Sequence, residues 1–301
     1  VIIFLTISCW PHIYENSLSV AFSIIKNSVI PSDLIGGPTL GLIDGSFYET
    51  NKTPTTYFLN IFQFRIPFLF SILIFFSYLL IIKNNNIFKK YIKNFKNKFI
   101  IFNIIIFFPI IMSALMSVKI YDNLRLFIFI LPFFSLLGSF SLYYLLKNFN
   151  SSFKSKFGSL LILFFFSIFV YRFILLTPYQ YSYINFSYFK MEDSINKFEH
   201  DYWATSFKEL IEKTKKIYPQ TELNKFKFAV CGGGKNALLV YLHKNLKIKK
   251  IYKPDQATHI IMTNRASFNT NDKVTCFNKY IGDDLVSVSR NNLVFSVIRK
   301  M

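Results

Sequence analysis

Four apolar blocks dominate the first 177 residues of the chain. Residues 57–82, 99–116, 124–146 and 157–177 carry very few charges, and each lies near or above the roughly 20 residues that a helix needs to cross a hydrocarbon core. Block 57–82 contains Arg65 and Pro67, and block 99–116 contains Pro109; proline is better tolerated in membrane helices than in soluble ones. A further apolar stretch, 1–9, is too short to span. It reads as the tail of a membrane helix that starts before Val1, so the chain is expected to be the C-terminal part of a longer protein. The fold class expected is a membrane all-α helical bundle over 1–177 followed by a small extracytoplasmic α/β domain over 178–301.

The segment 10–54 between the first two spans has its own pattern. Leu18, Phe22, Ile25 and Val29 recur at helical spacing, which predicts an amphipathic helix over 16–28 lying on the membrane surface. Pro31, Gly36, Gly37, Pro38, Gly41 and Gly45 then impose an irregular path. Such a loop, returning to the membrane beside carboxylates, suits the wall of a site and equally suits a surface connector.

After Thr177 the grammar becomes that of a soluble α/β fold. The pattern predicts a mostly helical 191–218 ended by Pro219, a strand over 225–231, a helix over 235–245 and a strand over 258–263. Two further strands, 285–290 and 293–298, flank Asn291-Asn292, a hairpin signal.

Loop charge sets the expected orientation. Residues 83–98 hold six lysines and 147–156 hold three, with no acidic residue in either. Segment 10–54 has two lysines against four carboxylates, and 117–123 has one of each. Positively charged loops stay in the cytoplasm, so 10–54, 117–123 and everything beyond 177 are expected to face outward.

Composition agrees. The 301 residues are 52% hydrophobic and 19% aromatic, more than a soluble core of this length requires. The net charge of +19 would suit nucleic acid, but no nucleic-acid motif is present and the basic residues fall where topology puts them. Nucleic acid is therefore not among the expected partners. Cys9, Cys231 and Cys276 show no metal-binding spacing. Outside the cytoplasm Cys231 and Cys276 could pair; two buried free thiols are the alternative. Cys231-Gly-Gly-Gly-Lys235 follows a strand and precedes a helix, but it lacks the phosphate-loop spacing and has Asn236 where Ser or Thr belongs. The glycines read as a tight turn. The four histidines show no metal spacing either.

The charges near the expected outer membrane face carry more information. Arg65 lies about eight residues into its span, roughly 12 Å along a helix, where a charge is costly and faces a polar partner or cavity. Arg125 opens a span one turn after Asp122, so the two can pair, and Lys52 precedes residue 57. Snorkelling toward water is an alternative account of Lys52, Arg125 and Arg172. Together, Lys52, Arg65 and Arg125 describe a basic outer cavity fit for a lipid-linked phosphate.

Several segments carry a family likeness. They are Trp10-Pro-His-Ile-Tyr-Glu-Asn16, Tyr121-Asp-Asn-Leu-Arg125, Thr177-Pro-Tyr-Gln-Tyr-Ser-Tyr-Ile-Asn185 and His200-Asp-Tyr-Trp-Ala-Thr-Ser-Phe-Lys-Glu209. In this order they resemble the C-terminal half of bacterial glycosyltransferase family 39-like membrane proteins. Those proteins are relatives of protein O-mannosyltransferases and aminoarabinose transferases, with the GT-C architecture. Asn123 and Leu126 stand where that pattern leads us to expect Gly and His.

The resemblance implies a multi-pass protein of the bacterial inner membrane that moves a sugar from a polyprenyl-phosphate carrier to an extracytoplasmic acceptor, with inversion. A carboxylate would deprotonate the acceptor hydroxyl, and cations would stabilise the leaving phosphate. The catalytic acid is expected upstream of Val1. Lys52, Arg65 and Arg125 are the candidates for the donor phosphate, and Glu15, Asp44 and Asp122 for the acceptor or the site wall. No motif implies a cofactor, and the resemblance leaves room for a divalent metal. Asp201-Tyr202-Trp203 reads either as a sugar-stacking segment or as helix packing. Rival readings are a flippase of lipid-linked sugar and a membrane-anchored binding module.

Overall fold

The computed structural model describes residues 19, 40–50, 52–83, 86–89, 92–115, 120, 125–147, 153–185, 190–266 and 273–301. The expected span at 1–9 and the surface helix at 16–28 lie outside the described residues, Ser19 excepted. The first ordered feature is a hairpin of β1 (Leu40–Ile43) and β2 (Ser46–Glu49).

The block expected as one span over 57–82 is broken. Helix α1 (Tyr57–Phe64) and helix α2 (Phe68–Lys83) meet at an angle of 110°. Pro67 explains the break, because it lacks an amide donor and disfavours helical backbone in the residue before it. Tyr57, Phe58, Ile61 and Phe64 form the buried face of α1.

A short turn, α3 (Asn86–Lys89), leads into α4 (Phe95–Leu115), which starts before the expected boundary and keeps Pro109 inside it. A 3-10 segment, Arg125–Ile130, opens α5 (Leu131–Lys147), and α6 (Phe153–Leu175) follows. Three stretches, Phe95–Leu115, Phe127–Lys147 and Lys156–Leu175, are long and apolar enough to cross a membrane, and the bent pair α1–α2 makes a fourth if counted as one span. Their outer faces expose Phe75, Ile104, Phe108, Leu115, Phe164 and Ile174. A surface so apolar is suited to lipid rather than water.

Small residues bring α2 and α5 together in parallel. Ser77 Oγ donates to the Leu137 carbonyl at 2.5 Å and Ser141 Oγ to the Leu73 carbonyl at 2.6 Å. Without a hydrophobic drive between helices, close backbone approach and such bonds hold them together. Helix α4 runs antiparallel to α5, with Phe95 against Phe140 and Phe102 against Phe133. Helix α6 returns beside α2, with Phe68 against Phe165. Lys83, Phe95, Lys147 and Phe153 consequently share one end of the bundle, and the described residues that follow α6 meet the other end.

That remainder is built on a four-stranded mixed sheet in the order β3-β4-β6-β5. Its strands are β3 (Phe228–Cys231), β4 (His259–Thr263), β5 (Asp283–Arg290) and β6 (Leu293–Lys300). The expected hairpin is present and longer than expected. Asn291 and Asn292 both take left-handed backbone, as a two-residue turn between twisted strands requires. The expected helix over 191–218 is largely absent before Phe207. Two 3-10 turns, Met191–Ser194 and Tyr202–Ala204, precede α7 (Phe207–Ile217), whose buried Phe207, Leu210, Ile211 and Thr214 face the core at helical spacing. Helix α8 (Lys235–Leu246) connects β3 to β4, and a short α9 (Cys276–Lys279) precedes β5.

Cys231 at the end of β3 and Cys276 at the start of α9 are disulfide-bonded, and both are buried. The first two glycines after Cys231 serve packing. Gly232 is left-handed, and a Cβ there would strike Thr263 Oγ1; a Cβ on Gly233 would strike the Phe207 ring. These contacts fit the tight-turn reading of the Gly-rich segment.

Candidate functional site

The bend at 65–67 exposes backbone carbonyls that no helix satisfies. Residues from beyond the bundle satisfy them. The Asn185 N–H donates to the Phe64 carbonyl at 2.8 Å, and its Nδ2 donates to the carbonyls of Gln63 and of Ile66, the latter at 3.0 Å. Asn185 is only 1% exposed. Its own carbonyl accepts from Arg172 at 3.2 Å, so the top of α6 joins the same knot.

Arg65 works in the opposite direction. Its guanidinium donates to the carbonyls of Ser182 at 3.2 Å, Tyr183 at 3.3 Å and Glu199 at 2.8 Å, and it lies 5.2 Å from the centre of the Phe198 ring. The planar fork of arginine suits several carbonyls at once. The hairpin adds a third attachment, with Ile43 bridging Phe198 and the Gly45 N–H donating to the Lys197 carbonyl. Bundle and sheet region are thereby locked at one joint.

The other expected site residues fall in different settings. Lys52 is well exposed, 3.4 Å from Glu49. Asp44 turns the β1–β2 hairpin in left-handed backbone. Arg125 begins the 3-10 segment before α5, its side chain lying outside the described residues, as do Glu15 and Asp122. Among the described residues, no group of three or more His, Cys, Asp or Glu could hold a metal ion.

Beside the joint lies a cleft of about 430 Å³ lined by Pro178, Tyr179, Tyr181, Thr205, Lys208, Glu209 and Glu212. Two carboxylates organise it. Glu209, on the first turn of α7, accepts from Tyr179 at 2.8 Å, Arg290 at 2.7 Å and Lys213 at 3.2 Å. Burial alone would raise its pKa, but these donors outweigh burial and hold the carboxyl below the usual range. Asp201 is fully buried, and five donors meet it: the Tyr181 hydroxyl, the N–H and hydroxyl of Thr205, and the N–H and hydroxyl of Ser206. It sits just before α7, where a carboxylate suits the exposed N–H groups of the helix start.

Burial and the neighbouring carboxylates push both tyrosine pKa values upward. At neutral pH the two phenols are therefore donors and not bases. The cleft presents aromatic faces, carboxylates and one lysine. Trp203, two residues after Asp201, is 65% exposed and takes left-handed backbone, rare for a bulky residue. This turn carries the chain round so that Thr205 and Ser206 can reach Asp201. The sequence marked the segments holding Tyr179, Tyr181, Asn185, Asp201, Thr205, Ser206 and Glu209, but not which of these side chains meet. Nothing local to Arg290, on a hairpin strand, signals that it will meet Glu209.

His200 closes the core of the joint. Its Nε2 lies 3.0 Å from Ser194 Oγ, and it is fully buried. Burial, with the Arg65 charge adding to it, lowers its pKa to about 3. The unfolded chain binds a proton at His200 below about pH 6.5 while the folded chain does not. Stability is therefore expected to fall by about 1.4 kcal/mol per pH unit as the pH drops from about 6.5 toward 3. The check is acid unfolding of His200→Asn, which should lose this slope between pH 6 and pH 5 (about one unit, above the carboxylate range).

No protein-family model, curated protein or solved structure matches this chain.

Proposed function

We propose that the chain is part of a membrane glycosyltransferase that takes a sugar from a polyprenyl-phosphate carrier and passes it to an extracytoplasmic acceptor. The observation that carries this reading is the joint. A bundle of membrane-length helices ends, at the bend of α1–α2, directly beneath a locked α/β region with a cleft at the boundary. A lipid-borne donor and a water-borne acceptor can only meet at such a boundary.

Two observations support the outward placement of the α/β region. The lysine-rich loops lie at the opposite end of the bundle, and the Cys231–Cys276 disulfide suits an oxidising compartment. In this reading Lys52 and Arg125 stabilise the carrier phosphate as charge builds on it, and Glu15, Asp44 and Asp122 line the acceptor side. Arg65 acts by holding the bend, its guanidinium being committed to three carbonyls. Tyr181, Glu212 and Trp203 offer the acceptor a polar and aromatic surface; stacking on sugar rings is a use of exposed aromatics.

The test is transfer of label from a radiolabelled polyprenyl-phosphate sugar, in membranes carrying the protein expressed from its own gene. Transfer is expected, with a loss of about 100-fold or more in a Lys52→Ala/Arg125→Ala variant that still inserts, since one lost transition-state donor costs that much. Carrier crossing the bilayer without transfer would replace the enzyme by a flippase.

A further inference from the structure

The opposite end of the bundle holds a second cavity, which no part of the transferase chemistry uses. It measures about 360 Å³ and is lined by Lys89, Ile92, Asn94, Phe95, Lys96 and Asn97, between α3 and the start of α4. Phe95 is its aromatic wall, backed by two further rings. Phe88 and Phe95 are buried and stacked 5.5 Å apart, and both meet the edge of Phe140 on α5. Lys89, Asn94, Lys96 and Asn97 stay exposed at its rim, with Lys93 and Lys98 beside them.

Charge at this end is of one sign. Residues 83–98 and 147–156 contain nine lysines and no acidic residue, and the helix ends bearing them lie together because α2 and α5 run parallel while α4 and α6 return. Just beyond the rim, α4 presents Ile100, Ile101, Ile104 and Ile105 on its exposed surface. A cationic, amide-bearing mouth above an apolar wall fits a molecule with a phosphate head and hydrocarbon tails.

We infer that this cavity binds the headgroup of an anionic phospholipid, its phosphate held by Lys89 and Lys96 with the Asn94 and Asn97 amides, and its acyl chains lying along α4. The inference rests on the membrane placement of the bundle and not on the transferase reading. Basic pockets on the cytoplasmic side of helix bundles attract anionic lipid, at roughly fivefold per lysine near the surface.

The experiment uses the whole chain in discs of phosphatidylcholine containing a minor share of phosphatidylglycerol, with native mass spectrometry of the lipid retained after detergent extraction. Phosphatidylglycerol should be retained in preference to phosphatidylcholine. Lys89→Gln/Lys96→Gln should cut that preference by about twenty-five-fold, two lysines at the factor above, whereas Lys89→Arg/Lys96→Arg and a control pair in the α/β region, Lys244→Gln/Lys249→Gln, should keep it. Equal retention of the two lipids by the unaltered chain would overturn the site, as would an unaffected Gln pair. Displacement of phosphatidylglycerol by inorganic phosphate would assign the cavity to a free anion and also overturn it. Should the Gln pair fail to insert, the preference of the unaltered chain decides alone. Flotation with vesicles separates loss of the membrane placement itself from loss of the site.

Discussion

Replacing Asn185 with alanine is expected to destabilise the joint between bundle and α/β region by about 2–4 kcal/mol. Two carbonyls at the bend, those of Gln63 and Ile66, lose their side-chain donor, the first in a part-buried place and the second in a buried one; an unsatisfied buried group costs about 1–3 kcal/mol, and a part-buried one less. The measurement is protease resistance of the segment after α6 in the full chain, read as the rate of cleavage between bundle and α/β region. Cleavage at the unaltered rate would mean that the knot around Asn185 contributes nothing. Arg65→Lys should weaken the same joint, since a single ammonium cannot bridge three carbonyls as the guanidinium fork does. The pair of variants also separates two roles for Arg65. A carbonyl-bound Arg65 predicts loss of protease resistance together with any loss of activity; a phosphate-bound Arg65 predicts loss of activity with resistance intact.

The second large effect is expected at the disulfide. Cys231→Ser should lower the stability of the α/β region by about 4 kcal/mol, the chain-entropy value for a loop of this length, the sequence separation being 45. The bond ties the end of β3 to the start of α9, which is not part of the sheet, so its loss frees α9 from β3. Thermal unfolding of the full chain, with and without a reductant, reads the effect. The unaltered chain should respond to reductant and the Cys231→Ser variant should not. A variant as stable as the parent would show that packing alone fixes these segments.

Much of this architecture was legible in the sequence because its signals are local. Uninterrupted apolar blocks gave the long helices α4, α5 and α6, and Asn291-Asn292 between alternating residues gave the β5–β6 hairpin. The break at 65–67 was written in Pro67, yet the apolar run through it read as one span, because composition carries no direction. The segment 191–206 read as helix from its content, but Asp201 draws Thr205 and Ser206 into a cap, and left-handed Trp203 and Ala204 turn the chain before α7 can begin. Arg65 was visible as a costly charge in an apolar run. Its partners were not, because the carbonyls of Ser182, Tyr183 and Glu199 lie more than a hundred residues away and a backbone acceptor leaves no trace in side-chain identity. Arg290 with Glu209 eluded the reading for the same reason of distance. The pairing of Cys231 with Cys276, left open by spacing, was decided by the fold.

The transferase reading and the lipid site both require one orientation: the joint and α/β region outside, the lysine end inside. The most direct test places single cysteines at Lys93 and at Lys249, both exposed, in a Cys9→Ser background, and treats sealed spheroplasts with a membrane-impermeant maleimide. Lys249→Cys is predicted to label in sealed spheroplasts, and Lys93→Cys only after permeabilisation. Labelling of Lys93→Cys in sealed spheroplasts, with Lys249→Cys protected, would contradict the account.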